Sequence, residues 1–241
     1  MSYFGKFIKD KNLTGLFSEM YSLTDNNPEV WTTLGQDTQF IIDVDDERKY
    51  ITVCFQGSKS MDDWVNNIEF ATTNLYEYEG VMIQGHDGFL DAYTSAVDEG
   101  FREILKPIVD AHPDYKIYGI GHSLGGAVAQ IFAFDWSVQF GKKVNIITFG
   151  SPKPWASHEI IEKVRSAVGV ICQIGRTNDM VVTLPPWYDE HLNCDKIGSF
   201  NLWHYLSGAN THCTYDDLSK YDCKNNKVAQ EQLDKRAAVL V

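Results

Sequence analysis

Chemistry is written most plainly in the stretch Gly119-Ile120-Gly121-His122-Ser123-Leu124-Gly125-Gly126. A serine hydroxyl is a weak nucleophile at its free pKa. It becomes useful when a sharp turn from strand to helix presents its Oγ at the end of a sheet, within reach of a base. Such a turn forces strained backbone angles on the serine, so the residues two before and two after it must be small. Gly121 and Gly125 meet that need. The helix that follows begins at Leu124, and its first amides face the same space with the positive end of the dipole. The pattern predicts Ser123 as a nucleophile and the Leu124 amide as one donor to a developing oxyanion. A phosphate loop is the competing reading of so many glycines, but the stretch lacks both a Lys-Ser/Thr ending and the GxGxxG order of a dinucleotide turn.

The elements around this turn decide whether it forms. Lys116 to Gly119 reads as a strand. Leu124 to Phe140 reads as a helix whose apolar surface comes from Val128, Ile131, Phe132 and Phe134. Val144 to Phe149 is a second strand, His158 to Val168 a helix, and Val170 to Ile174 a third strand. This alternation implies parallel strands joined by crossover helices, an α/β architecture. Upstream, QFIIDV and KYITVCF between Gln39 and Phe55 read as a hairpin around Asp45 to Arg48. From Asp87, a candidate N-cap, apolar residues recur at Phe89, Tyr93, Val97, Phe101, Leu105 and Ile108, predicting one amphipathic helix that ends near Pro113. After Pro185 the pattern is irregular until Lys227 to Leu240, which looks like a terminal helix. Neither an internal repeat nor a low-complexity linker interrupts the chain, so residues 1–241 are read as one domain.

Asp179 lies just past the strand Val170 to Ile174, where α/β sheets carry their functional loops. It is a candidate to orient a catalytic imidazole, or an ordinary turn or capping aspartate.

Several collinear blocks between Ile51 and Tyr215 carry a family resemblance. They are Val53-Cys54-Phe55-Gln56-Gly57-Ser58-Lys59-Ser60 with Asp63-Trp64 and Phe70, then Gly85-His86-Asp87-Gly88-Phe89 with Tyr93, the serine turn itself, Thr148-Phe149-Gly150-Ser151-Pro152, and Asn178-Asp179 with Val181 and Leu184-Pro185-Pro186. In these the chain resembles the class 3 lipases, the fungal-type triacylglycerol lipases with related feruloyl esterases and phospholipases. The resemblance implies an α/β-hydrolase fold, a central and mostly parallel sheet flanked by helices with a short lid helix. It implies a serine carboxylic-ester hydrolase acting through a Ser-His-Asp triad and an acyl-enzyme, a lipase or esterase on acyl esters, with a feruloyl esterase or phospholipase as the alternative. No cofactor or metal is implied. Ser58 stands where the family places a second oxyanion donor, and Asp179 where it places the acid. The base follows the acid in chain order in this fold, leaving His191, His204 and His212. His212-Cys213-Thr214-Tyr215 fits the family's HxxY and is favoured, His204 stays open, and Tyr188 to His191 resembles a non-catalytic Tyr-x-His setting. Gln56 stands in place of the usual Arg, and the common Val-Gly pair after Pro152 is missing, so the cleft wall is expected to differ. The segment Ser60 to Phe70 is amphipathic, with Met61, Trp64, Val65 and Ile68 on one side. By resemblance it is the lid, a surface for transient contact with lipid, although such a stripe is more often a helix packed on the core.

Composition bounds the partners. A net charge of −12, spread along the chain, is the wrong sign for nucleic acid, which needs clustered Lys and Arg. Few basic residues flank Ser60 to Phe70, which favours neutral glycerides or soluble esters over anionic phospholipid. The first twenty residues carry Lys6, Lys9, Asp10, Lys11 and Glu19 and no apolar run of signal-peptide length, so cytoplasm and a mature secreted form both stay open. Of five cysteines, Cys54 and Cys172 sit in strand-like runs and read as buried thiols, while a disulfide is open only among Cys194, Cys213 and Cys223. Two rival classes remain. One is a metal site built from His191, Cys194, His204, His212, Cys213 and Cys223, against which stands the absence of a tight ligand pair. The other is a catalytically silent hydrolase fold that binds a ligand. Oligomeric state is not legible.

Overall fold

Among the described residues, the strand that delivers Ser123 lies in the middle of a seven-stranded sheet. A computed structural model of the protein describes residues 2–35, 38–57, 71–188, 190–192, 194–197, 212 and 215. Ser58, the segment Ser60 to Phe70, His204, Cys213, Cys223 and the stretch Lys227 to Leu240 lie outside the described residues.

In chain order the elements are α1 (Gly5–Lys9), α2 (Leu13–Asn26), β1 (Thr32–Leu34), β2 (Thr38–Asp45), β3 (Tyr50–Phe55), β4 (Thr72–Tyr78), β5 (Val81–His86), α3 (Asp87–Asp98), α4 (Phe101–Ala111), β6 (Lys116–His122), α5 (Leu124–Phe140), β7 (Val144–Phe149), α6 (His158–Ala167), β8 (Ile171–Arg176) and β9 (Cys194–Ile197). The large sheet runs β1-β2-β3-β6-β7-β8-β9, and β4 and β5 form a separate hairpin. β1, β2 and β3 pair antiparallel, whereas β3, β6, β7, β8 and β9 are parallel neighbours. With helices on its faces this is the α/β-hydrolase arrangement.

Alternation along the central strands assigns their side chains to two cores. On one face Ile51, Val53, Phe55, Ile117, Val144 and Ile146 pack with Phe101, Phe132 and Trp136 under α3 to α6. On the other, Cys54, Ile120, Ile147, Phe149 and Ile174 pack against Leu16, Phe17, Met20 and Leu23 of α2. Both faces are therefore dry, which is why these strands read as near-continuous apolar runs. By the same period-2 rule His122, two residues after Ile120, faces the α2 side. Among the described residues no helix is long and apolar enough to cross a membrane.

Several expectations change. The single helix expected from Asp87 to Pro113 is two, α3 and α4, separated at Glu99-Gly100, where Gly100 takes φ 103°. Its N-cap is His86 rather than Asp87, which is the first helical residue. The break is invisible to periodicity because Tyr93, Phe101 and Leu105 all bury in one core, keeping a three-or-four residue rhythm across it. β6 runs on to His122, so the strand reaches the serine without an intervening loop. α2 and the β4–β5 hairpin were not expected. Neither was β9, a four-residue strand in the irregular region that extends the parallel sheet beside β8.

Candidate active site

Ser123 joins β6 directly to α5, with φ 56° and ψ −129° and no exposed surface. A non-glycine residue at positive φ is strained, and such strain persists only where the surroundings over-determine it. They do so here. The Ser123 N–H donates to the Phe149 carbonyl at 3.0 Å, and the Ser123 carbonyl accepts from Gly126 at 2.9 Å as the helix begins. A Cβ on Gly121 would lie 2.3 Å from the Gly125 backbone, and one on Gly125 would lie 2.2 Å from the Phe55 carbonyl oxygen. The two glycines are therefore sites of backbone-to-backbone contact. Leu124 is the first residue of α5, where an amide has no partner within its own helix.

Asp179 follows β8 and is fully buried. Its Oδ1 accepts from the Val181 N–H at 2.9 Å, and its Oδ2 accepts from the Tyr215 hydroxyl at 2.8 Å. The same Oδ2 lies 2.8 Å from Nδ1 of His212. An ionised carboxylate only accepts, so Nδ1 of His212 carries the proton and Nε2 keeps its lone pair. That Nε2 is buried and makes no hydrogen bond among the described residues. Tyr215 completes a bracket, since its hydroxyl also accepts from the Arg176 N–H at 2.7 Å. Gly150, at φ 55°, is where these groups meet. A Cβ there would stand 3.0 Å from each of Asp179 Oδ2, His212 Cε1 and a Tyr215 ring carbon.

Next to Ser123, the buried His122 contacts both His212 and α2. Its Nε2 lies 3.0 Å from the His212 carbonyl oxygen and its Nδ1 lies 2.9 Å from the Tyr21 hydroxyl. The His122 and His212 rings are 4.5 Å apart between centroids. Burial, and after it the charge His212 would carry, pushes the His122 pKa well below its ordinary value. The sign of the stability effect follows. The unfolded chain protonates this imidazole near pH ~6.5 and the native one resists. Stability is therefore full above that value and falls as the pH drops below it. Urea unfolding at stepped pH should show His122→Gln with a shallower acid slope than wild type, by about 1.4 kcal/mol per pH unit for one proton. Equal slopes would mean that His122 titrates normally.

Ser123, Leu124, Asp179 and His212 thus lie at the ends of β6 and β8 and the start of α5, with His212 brought to Asp179. His191 is placed differently, its Nε2 2.7 Å from the Val182 carbonyl oxygen. Sequence reasoning missed His122 and Tyr21 and gave Tyr215 no task. The i, i+3 spacing of His212 and Tyr215 was a usable signal, because it puts two side chains on one side of a helical turn. Cys54 is a buried free thiol whose pKa burial raises. Among the described residues the one grouping of metal-ligating side chains is His158, Glu162 and Glu190, exposed and bridged by the Arg165 guanidinium.

Residues 52–189 match the model of the family Lipase (class 3). A lipase of Rhizomucor miehei is 34% identical over 107 residues, covering 44% of this chain and 29% of that protein. The secreted mono- and diacylglycerol lipase A of Penicillium cyclopium is 30% identical over 149 residues, covering 62% and 47%. A crystal structure of a mutant form of MDLA from Penicillium cyclopium superposes with a TM-score of 0.63 at 26% identity, covering 71% of this chain and 64% of that one. The chain spans about half the length, or less, of these curated relatives.

Proposed function

The chain belongs to the class 3 lipase family, and on that premise we propose that it hydrolyses carboxylic esters, with Ser123 as nucleophile, His212 as general base and Asp179 as the carboxylate that orients it. The observation that carries the reading is the short bond from His212 Nδ1 to Asp179, which leaves Nε2 as the ring's only basic atom.

In the proposed reaction Nε2 takes the Ser123 proton as Oγ bonds to the ester carbonyl carbon, whose π electrons move onto oxygen. The Leu124 amide donates to that oxyanion, and Ser58, outside the described residues, is the proposed second donor. Collapse of the intermediate breaks the bond to the alcohol, which leaves with the proton from Nε2. Water then repeats the sequence on the acyl-enzyme, giving up a proton to Nε2. The second collapse returns that proton to Ser123 and releases the acid. Asp179 stabilises the imidazolium at both stages without taking its proton.

Two relatives whose names specify lipase or mono- and diacylglycerol lipase support neutral acylglycerols as the substrate class. The net charge of −12 supports the same choice over anionic lipid. Contact with a lipid surface through Ser60 to Phe70, and a single catalytic domain, belong to this reading. A fluorophosphonate probe tests the nucleophile. It should add one phosphonyl mass to the peptide carrying Ser123, whereas Ser123→Ala should stay unlabelled. Labelling of the variant to the same extent would move the nucleophile elsewhere.

A further inference from the structure

We infer that Tyr21 and His122 form a positioning relay that fixes the main chain of His212, and so make helix α2 a working part of the active site. The inference rests on the proposed role of His212 as base.

Hydrogen-bond chemistry sets the direction of the relay. A carbonyl oxygen only accepts, so the Nε2 of His122 that faces the His212 carbonyl at 3.0 Å carries the ring's proton. A neutral imidazole has one proton, hence Nδ1 is the acceptor and the Tyr21 hydroxyl, 2.9 Å away, is its donor. The His212 carbonyl thus sets the tautomer, and the Tyr21 hydroxyl supports it by donating to Nδ1. The surroundings keep that tautomer neutral. The ring is buried and meets Phe17 edge-on at 5.4 Å, with Tyr21 and Tyr215 as further aromatic walls. Burial and His212 both oppose its protonation. A charged His122 would stand beside the imidazolium that His212 must become, and would raise the barrier.

Asp179 holds His212 by the ring alone, at Nδ1. One bond at the tip leaves the ring free to swing about it. A second attachment at the carbonyl of the same residue removes that freedom and fixes where Nε2 points. Catalytic geometry needs such support, because a group misplaced by about 1 Å loses on the order of 10²-fold in rate. The relay's outer end is anchored by packing. Leu16, Phe17, Met20 and Leu23 bury in the same core as Phe149 and Tyr215, which fixes α2 on the sheet beneath the triad. α2 lies outside residues 52–189, so the family-matched stretch does not contain the whole site.

The test compares kcat and KM for p-nitrophenyl butyrate in wild type, His122→Leu, His122→Gln, Tyr21→Phe and the double variant Tyr21→Phe/His122→Leu. Ser123→Ala is assayed alongside. A Gln carboxamide offers both a donor and an acceptor, and Leu offers neither. We expect His122→Leu to lose about 30-fold to 100-fold in kcat, as expected for a displaced base, with KM within about twofold. Tyr21→Phe should lose about fivefold, in line with one lost orienting contact, and should lose nothing further in the His122→Leu background. His122→Gln should recover most of the loss, and the low-field proton resonance of the His212–Asp179 bond should broaden in His122→Leu, in the double variant and, to a smaller extent, in Tyr21→Phe. The relay is overturned if folded His122→Leu keeps the wild-type kcat, or if Tyr21→Phe costs the same factor in both backgrounds. Tyr21→Phe removes one oxygen from a half-buried side chain, so its wild-type-like kcat and resonance would also overturn it, even if His122→Leu fails to fold. Activity retained by Ser123→Ala would instead sink the proposed function.

Discussion

Asp179→Asn is expected to lower kcat by about 10⁴-fold while KM stays within about threefold, because the substitution would reverse the tautomer of the proposed base without moving it. A carboxylate can only accept, and it accepts from Nδ1 of His212 and from the Tyr215 hydroxyl on one oxygen. An amide placed there turns an N–H toward one of these partners, and the Val181 N–H claims an acceptor on the other side. The imidazole would then shift its proton to Nε2, where it would block the approach of the Ser123 hydroxyl. Steady-state kinetics on p-nitrophenyl butyrate, with the folded state checked by circular dichroism, measures the effect. A loss smaller than tenfold would show that Asp179 is a capping residue and that another carboxylate orients the base.

The second large effect falls on folding. Gly125→Ala is expected to destabilise the protein by about 3 kcal/mol or more, at or above the upper range for overpacking. The new Cβ would meet the Phe55 carbonyl oxygen at 2.2 Å and the Gln56 backbone at 2.8 Å, and no rotamer change relieves a backbone contact. Relief requires the end of β3 to move away from β6, although Phe55 and Gly121 are register partners. Gly121→Ala meets the Gly125 backbone at 2.3 Å and should behave alike. Gly88→Ala is the control, since its Cβ would find only the His86 ring, at 3.5 Å, inside a helix where Ala is preferred. Urea midpoints should fall for the first two and hold or rise for the third. Equal midpoints would remove steric necessity from the glycine pattern.

The part of the fold that was legible is the part with dry strands and glycine-marked ends. The alternation from Lys116 to Ile174 reads as parallel α/β because each strand is buried on both faces and each helix is punctuated. The serine turn was legible for the same reason, its glycines being demanded by backbone contacts rather than by taste in loops. α2 was overlooked although Leu13, Leu16, Phe17, Met20 and Leu23 repeat at helical spacing and the Asn12 side chain caps the Gly15 N–H at 2.9 Å. β9 carried no signal, for Cys-Asp-Lys-Ile shows no alternation and pairs because β8 offers it an edge. Asp179 and His212 were candidates by chain order and by resemblance, with His204 left open, and the structure brings their two side chains together. Nothing local in the sequence links Tyr21 to His122, or His122 to the His212 carbonyl, because those contacts join residues about a hundred and ninety positions apart from end to end and depend on how α2 lies across the sheet.

The most direct test of the central claim is the release of p-nitrophenol from butyrate and palmitate esters by wild type and Ser123→Ala, side by side. The wild type is expected to turn over at least one of the two, and the variant, still folded, to fall by about 10⁴-fold or more in kcat, the scale of losing the nucleophile of a triad. A folded wild type inert toward both esters, or a Ser123→Ala protein as active as its parent, would contradict it.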